Sequence, residues 1–327
     1  MRHLPKLELH LHLEGAAPPE FVRRLAGEKK LRLDGVFGAS GAYDYNDFPG
    51  FLQVYERATA VLTRPEDYAR LTREVLERSR DEGVIYTEAF LSPDFCGGRD
   101  LEAWRDYLHA IREAAETVDG IAMRGVVTCI RHFGPDLARE TARCAAETAG
   151  AFVTGFGIAG NEAIGKPRDF VWAFDCAREA GLGLTAHAGE FGGPDSVRDV
   201  LDDLRVTRVG HGVRAIEDPA LVERLAREGV VLEVCPASNV ALGVYAKIDA
   251  HPIEKMRGRG VAVTVSTDDP PFFHTTMTEE YEALHRVFDW QGEHFRDIAR
   301  TAADAAFCDA ETRAALHKQL DTASWTI

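Results

Sequence analysis

Short apolar, β-branched runs alternate with helix-like stretches along most of this chain, and that alternation limits its fold more than any other feature. Strands are predicted over Lys6–Leu11, Val84–Phe90, Met123–Ile130, Val153–Ile158, Gly183–His187, Val206–Gly210, Val230–Val234 and Val261–Ser266. Between them the pattern predicts helices over Glu66–Asp81, Leu101–Thr117, Asp136–Thr148, Arg168–Ala180, Ser196–Leu204, Ala220–Glu228 and Pro252–Arg259. Gly83, Gly150, Gly181, Gly229 and Gly260 stand where a left-handed helix cap would fall. Eight strands with helices between them point to an α/β chain closed as a (β/α)8 barrel of TIM type, not to an open sheet.

The stretch Ala16–Thr63 is longer than a crossover needs, so extra helices are expected there, over the barrel mouth between the first two strands. The tail after Met277 reads as further helix at the C-terminus. With no linker, internal repeat or low-complexity segment, residues 1–327 are expected to form a single domain.

Composition narrows the function classes. Of 327 residues, 45% are hydrophobic, enough for a large core, and the formal charge of −15 is spread along the chain. No cationic run could follow a phosphate backbone, so a nucleic-acid partner is not expected. No apolar run is long enough for a membrane span, and no signal-like stretch follows Met1. Cys96, Cys129, Cys144, Cys176, Cys235 and Cys308 lie far apart without a CxxC pair. The expectation is a soluble protein of a reducing cytoplasm acting on a small molecule.

In such a barrel the chemistry stands at the C-terminal ends of the strands. The first strand ends in HLHLEG, where His10 and His12 are two apart and share a face. The fifth ends in HAGE (187–190), the sixth in GHG (210–212) and the eighth in STDDP (266–270). A single strand histidine is more often structural. Here His10, His12, His187, Glu190, His211, Asp268 and Asp269 all fall at strand ends, and burying so many polar groups calls for a metal and a polar substrate. Three histidines and a carboxylate from strands one, five and eight could converge on one divalent ion, a donor set that suits Zn²⁺. His3, His109, His251, His285, His294 and His317 are expected at the surface, and His132 and His274 fit either reading.

These motifs, together with PKLELHLHLEG (5–15), GVIYTEAFLSP (83–93), GFGIAGNE (155–162), RVGHGVRAIED (208–218), LEVCPASNV (232–240) and VTVSTDDP (263–270), resemble the adenosine deaminase family of the amidohydrolase superfamily. The resemblance implies one Zn²⁺ held by His10, His12, His187 and Asp268, with hydroxide on the metal attacking C6 of a purine. It further implies Glu190 as the acid that protonates N1, His211 as the residue orienting the nucleophile, and Asp269 and the Gly160 amide as partners of N7 and N3. Fe²⁺ or Mn²⁺ could share such ligands. The fourth strand carries no lysine to bridge two ions, so one ion is expected.

Adenosine-specific members usually carry aspartate where this chain has Glu14, the position that contacts the ribose 5′-hydroxyl. Phe90, Gly157 and Asn161 also depart from the common pattern. Against this, TTMTEEY (275–281) resembles the adenosine deaminases, and it favours hydrolysis of adenosine, with 2′-deoxyadenosine, to inosine and ammonia. The alternatives are a deaminase of adenine or another 6-aminopurine and, more remotely, a barrel without catalysis.

Overall fold

The computed structural model describes residues 1–327. Its strands are β1 (Lys6–His12), β2 (Val84–Leu91), β3 (Ala122–Ile130), β4 (Val153–Ala159), β5 (Gly183–Ala188), β6 (Arg208–His211), β7 (Val231–Val234) and β8 (Ala262–Val265). They pair in parallel and in chain order. At the seam, His12 N donates to Asp268 O (3.0 Å) and Asp268 N donates to His10 O (3.1 Å). Closure of the barrel thus sets residues from the two ends of the chain side by side.

Alternation does not run evenly through β1. Its register with β2 shifts between Lys6 and Leu7 and again between Glu8 and Leu11. Leu7 and Leu9 consequently pack with Tyr86 and the tail helices, while His10 and His12 gather at the other end. The late strands are short: β6 begins at Arg208, two residues after the predicted start, and follows a left-handed turn at Arg205 (φ 54°) that ends the preceding helical segment.

Two helices, Pro19–Lys29 and Phe48–Thr59, fill the stretch between β1 and the helix Pro65–Asp81. The second is capped by Asp47, whose side chain accepts from Gly50 N at 2.8 Å, and it sets Phe51, Leu52 and Tyr55 over the mouth. In the tail, Gly292–Ala305 lays Ala299, Ala302 and Ala303 against Leu7 and Leu9, plugging the opposite end. Phe307 follows, packed on the paired glycines Gly155 and Gly183, where a methyl group would collide with its ring at 2.7 and 2.2 Å. Of the predicted cap glycines, Gly83, Gly181, Gly229 and Gly260 have positive φ. Gly150 does not: the helix Pro135–Thr148 ends on extended Ala149, and Gly150 N turns back at once to Val153 O (3.0 Å). No helix is long and apolar enough to cross a membrane.

Candidate active site

At the C-terminal mouth, β1 delivers His10 and His12, β5 delivers His187, and the turn after β8 delivers Asp268. One donor atom from each lies within 4.8 Å of the others. His12 Nε2 is 3.2 Å from His187 Nε2 and 3.3 Å from Asp268 Oδ1, and His10 Nε2 is 3.4 Å from the same oxygen. His10 Nδ1 meets Glu233 Oε2 at 2.8 Å, while its buried Nε2 has no hydrogen-bond partner. A carboxylate behind the imidazole fixes which nitrogen faces inward, the usual support of a metal-binding histidine. The chemistry of the donors fits a divalent ion.

Electrostatics support that fit. Burial holds the His12 ring below its usual pKa, and burial with the neighbouring imidazoles holds His187 well below it, so both offer lone pairs. Burial would raise Asp268, but the His10 and His12 rings close to its Oδ1 outweigh it and keep the carboxylate ionised. Burial opposes charge on His10 too, yet Asp268 and Glu233 together raise it to about 9. With a cation held there, His10 would give up the proton on Nε2 and keep the one shared with Glu233. Glu233 is itself held down to about 2, against burial, by the Arg208 charge and His10.

His12, His187 and Asp268 line a cavity of about 70 Å³, with His10 behind them. Phe48, Phe51, Leu52, Tyr55, Phe95, Ile130 and Leu242 form its apolar walls, and Gly160, Glu190, His211 and Asp269 supply polar groups. Glu190 Oε1 and Asp269 Oδ1 are buried without a partner. Burial and the Asp268 charge raise both carboxyls well above their ordinary range, which favours the protonated form. Gly15 makes room for Asp269, since a Cβ there would fall 1.6 Å from Asp269 Oδ1. Asp268 and His211 both take left-handed backbone (φ 68° and 60°), uncommon for such residues and frequent where function dictates geometry. A wider depression of about 710 Å³ around Met123, Arg124 and Phe152 is lined by none of the strand-end histidines.

Several supporting groups escaped the sequence reading although they lie inside the quoted motifs. Glu162 accepts from the amides of Gly189, Glu190, Phe191 and Gly192 and from Ser196 Oγ, and so holds the loop that carries Glu190. Ser238 Oγ donates to Asp268 Oδ2 at 2.7 Å, and Asn239 Nδ2 lies 3.2 Å from His211 Nδ1. Phe90 packs its ring against His10 and His12 at 4.7 and 4.8 Å, an apolar contact in a place where arginine is common. His132 lines the cavity and accepts from Asn161 N, whereas His274 is exposed.

Two expectations fail on geometry. His251, expected at the surface, is 2% exposed because both its ring nitrogens are engaged inside the barrel mouth. Glu14, expected to serve a ribose, is buried behind the wall: Tyr68 donates to one oxygen (3.1 Å) and Tyr55 to the other (3.5 Å). Burial raises its carboxyl to about 7 despite these bonds, and it does not line the cavity.

The family profile described as adenosine deaminase matches residues 5–323. A protein named adenine deaminase from Chelativorans sp. (strain BNC1) is 47% identical over 320 residues, spanning 97% of this chain and 98% of its own. Another of that name from Rhizobium rhizogenes is 46% identical over 321 residues, spanning 97% and 99%. The crystal structure of adenine deaminase from Arthrobacter aurescens matches with a TM-score of 0.89 at 30% identity, over 97% of this chain and 98% of that one. An amidohydrolase from Burkholderia ambifaria with bound zinc gives 0.86 at 29%, over 98% and 91%. These names overturn the expectation of adenosine as substrate, and the enclosure of Glu14 supplies a physical reason. The chain belongs to the adenosine deaminase family, as a hydrolytic deaminase of the amidohydrolase superfamily.

Proposed function

We propose that the protein hydrolyses adenine to hypoxanthine and ammonia. The observation that carries this reading is a cavity with apolar walls lined by Glu190 and Asp269, each with one buried carboxyl oxygen lacking a partner, and by three members of the donor cluster, His12, His187 and Asp268. Such orphaned groups need a ligand to satisfy them. The preference for the base over the nucleoside is supported by the names of the relatives and by Glu14, whose oxygens are taken by two tyrosines.

His10, His12, His187 and Asp268 would hold the metal, and zinc, the ion bound in one structural neighbour, suits their donors. When bound, such an ion supplies the Lewis acidity that makes water nucleophilic near neutral pH. The chain's own residues do the rest. Glu190, kept protonated by burial, delivers its proton to ring N1 and so draws electrons from C6. Protonated Asp269 donates to N7, and the Gly160 amide faces N3. His211 Nε2 faces the space beside Glu190 Oε2 (3.7 Å) and Asp268 Oδ2 (3.9 Å), where the attacking water stands. Water adds at C6, returning one proton to the Glu190 carboxylate and passing the other to the amine, the C6–N bond breaks, and ammonia leaves. Phe48, Phe51 and Tyr55 keep bulk water from the ring.

Ammonia release from adenine, adenosine and 2′-deoxyadenosine, measured on zinc-loaded protein, tests the assignment. Adenine should exceed both nucleosides in kcat/KM by about 100-fold or more, since a site with no ribose partners leaves sugar hydroxyls unpaired. A nucleoside preference would overturn it.

A further inference from the structure

A line of hydrogen bonds runs from the helix Ile253–Gly258 to the reaction centre. Ile253 N is 3.2 Å from His251 Nδ1, His251 Nε2 is 3.1 Å from Asn239 Oδ1, and Asn239 Nδ2 is 3.2 Å from His211 Nδ1. All three side chains are buried, with 2%, 0% and 1% of their surfaces exposed.

The direction of this line follows from what each atom can do. A backbone amide only donates, so His251 Nδ1 must accept. A buried imidazole without a carboxylate partner is neutral and carries one proton, which on His251 must then sit on Nε2. That proton needs an acceptor, so the Asn239 amide presents Oδ1 to His251 and Nδ2 to His211. An amide nitrogen only donates, so His211 Nδ1 accepts. The one proton of a neutral His211 ring therefore stands on Nε2, the atom facing Glu190 and Asp268. Turning any link around would set two donors or two acceptors face to face.

We propose that the Ile253 amide, His251 and Asn239 form a one-way relay that fixes His211 as the Nε2–H tautomer, a hydrogen-bond donor at the reaction centre and not a base. His251 and Asn239 are positioning residues. A second consequence concerns the metal. His211, Cys235 and Asp268 also lie close enough to hold an ion. With a proton on Nε2, His211 cannot ligate, and the ion is left to His10, His12, His187 and Asp268. The kinetic effect rests on the deaminase reading, whereas the tautomer does not.

The test is long-range proton–nitrogen NMR on zinc-loaded protein labelled at histidine nitrogen, with the His211 signals identified by their loss in H211Q. Wild type should show a protonated Nε2 and a bare Nδ1 on His211. Asn239→Asp turns the donor into an acceptor and should move the proton to Nδ1, with kcat on adenine down about 100-fold and KM within about threefold. His251→Leu removes the donor to Asn239 and should lower kcat about tenfold, while His251→Gln, whose amide can donate, should recover most of the loss. A wild-type Nδ1–H tautomer, an unchanged tautomer in N239D, or equal losses in H251L and H251Q would each overturn the relay. Should N239D fail to fold, the His251 pair decides. If adenine proves not to be the substrate, the spectra still decide.

Discussion

Glu190 and Asp269 line the cavity, each keeps one buried oxygen without a partner, and burial keeps both carboxyls protonated. Glu190→Gln keeps the size but loses the transferable proton, so kcat on adenine should fall by about 10³-fold with zinc content unchanged. Parallel activity and metal assays check this, and loss of the metal would mean a structural role instead. Behind Glu190 stands Glu162. Burial would raise its carboxyl, but Ser196 and the amides of Gly192, Gly189 and Phe191 outweigh that and hold it below the ordinary range. Glu162→Ala leaves those amides without their acceptor. Stability should fall by about 2–4 kcal/mol, read from denaturant unfolding, and kcat should fall with it.

Whole elements hold these residues in place. Helix Gly292–Ala305 and the following Phe307 close the barrel end away from the site, where the Arg208 guanidinium lies 3.6 Å from the Phe307 ring centroid. Arg208 also donates to Glu88 (2.7 Å) and Glu233 (2.6 Å), and Glu233 supports His10. Phe307→Ala should cost about 1.5–3 kcal/mol, since the ring is only partly buried, while leaving metal stoichiometry intact. Helix Met277–Phe288 carries Glu280, which is buried and accepts from Thr275 Oγ1 (3.1 Å) and Ala237 N (3.2 Å). Burial, assisted by the charge of Glu8, raises its carboxyl to about 8. The folded chain therefore binds a proton that the unfolded chain releases near pH 4.5. Its contribution to stability is complete below that pH and is lost as pH rises towards 8. Glu280→Gln should remove this slope, and melting curves from pH 5 to 9 should show the variant gaining on wild type as pH rises.

Across the whole molecule, His10 and His12 from β1, His187 from mid-chain β5 and Asp268 from the turn after β8 meet only after the barrel closes at the seam between β1 and β8. An ion held by all four would stabilise the closed barrel by mass action and have little affinity for the unfolded chain. Chelation should therefore lower the melting temperature by several degrees, and one equivalent of Zn²⁺ per chain should restore it. Titration calorimetry of the stripped protein measures that stoichiometry, and a value of two would contradict the mononuclear site.

Local pattern was enough for the eight strands and for the histidines and carboxylates at their ends, because periodicity and strand position are properties of short segments. Packing decided the rest. The register shifts in β1 depend on its partner, the alanine face of Gly292–Ala305 became a plug only against Leu7 and Leu9, and Gly155 and Gly183 had meaning only once Phe307 lay on them. His251 reads as exposed, and Glu14 as a residue facing a ribose, until their partners are known, and Asn239 and Tyr68 are not their neighbours in sequence. Asn239 is 12 residues from His251, and Tyr68 is 54 from Glu14. Residue order therefore determined which chemical groups reach the barrel mouth. Tertiary contact decided which of them face the substrate, because burial and hydrogen-bond partners are set only when distant segments meet.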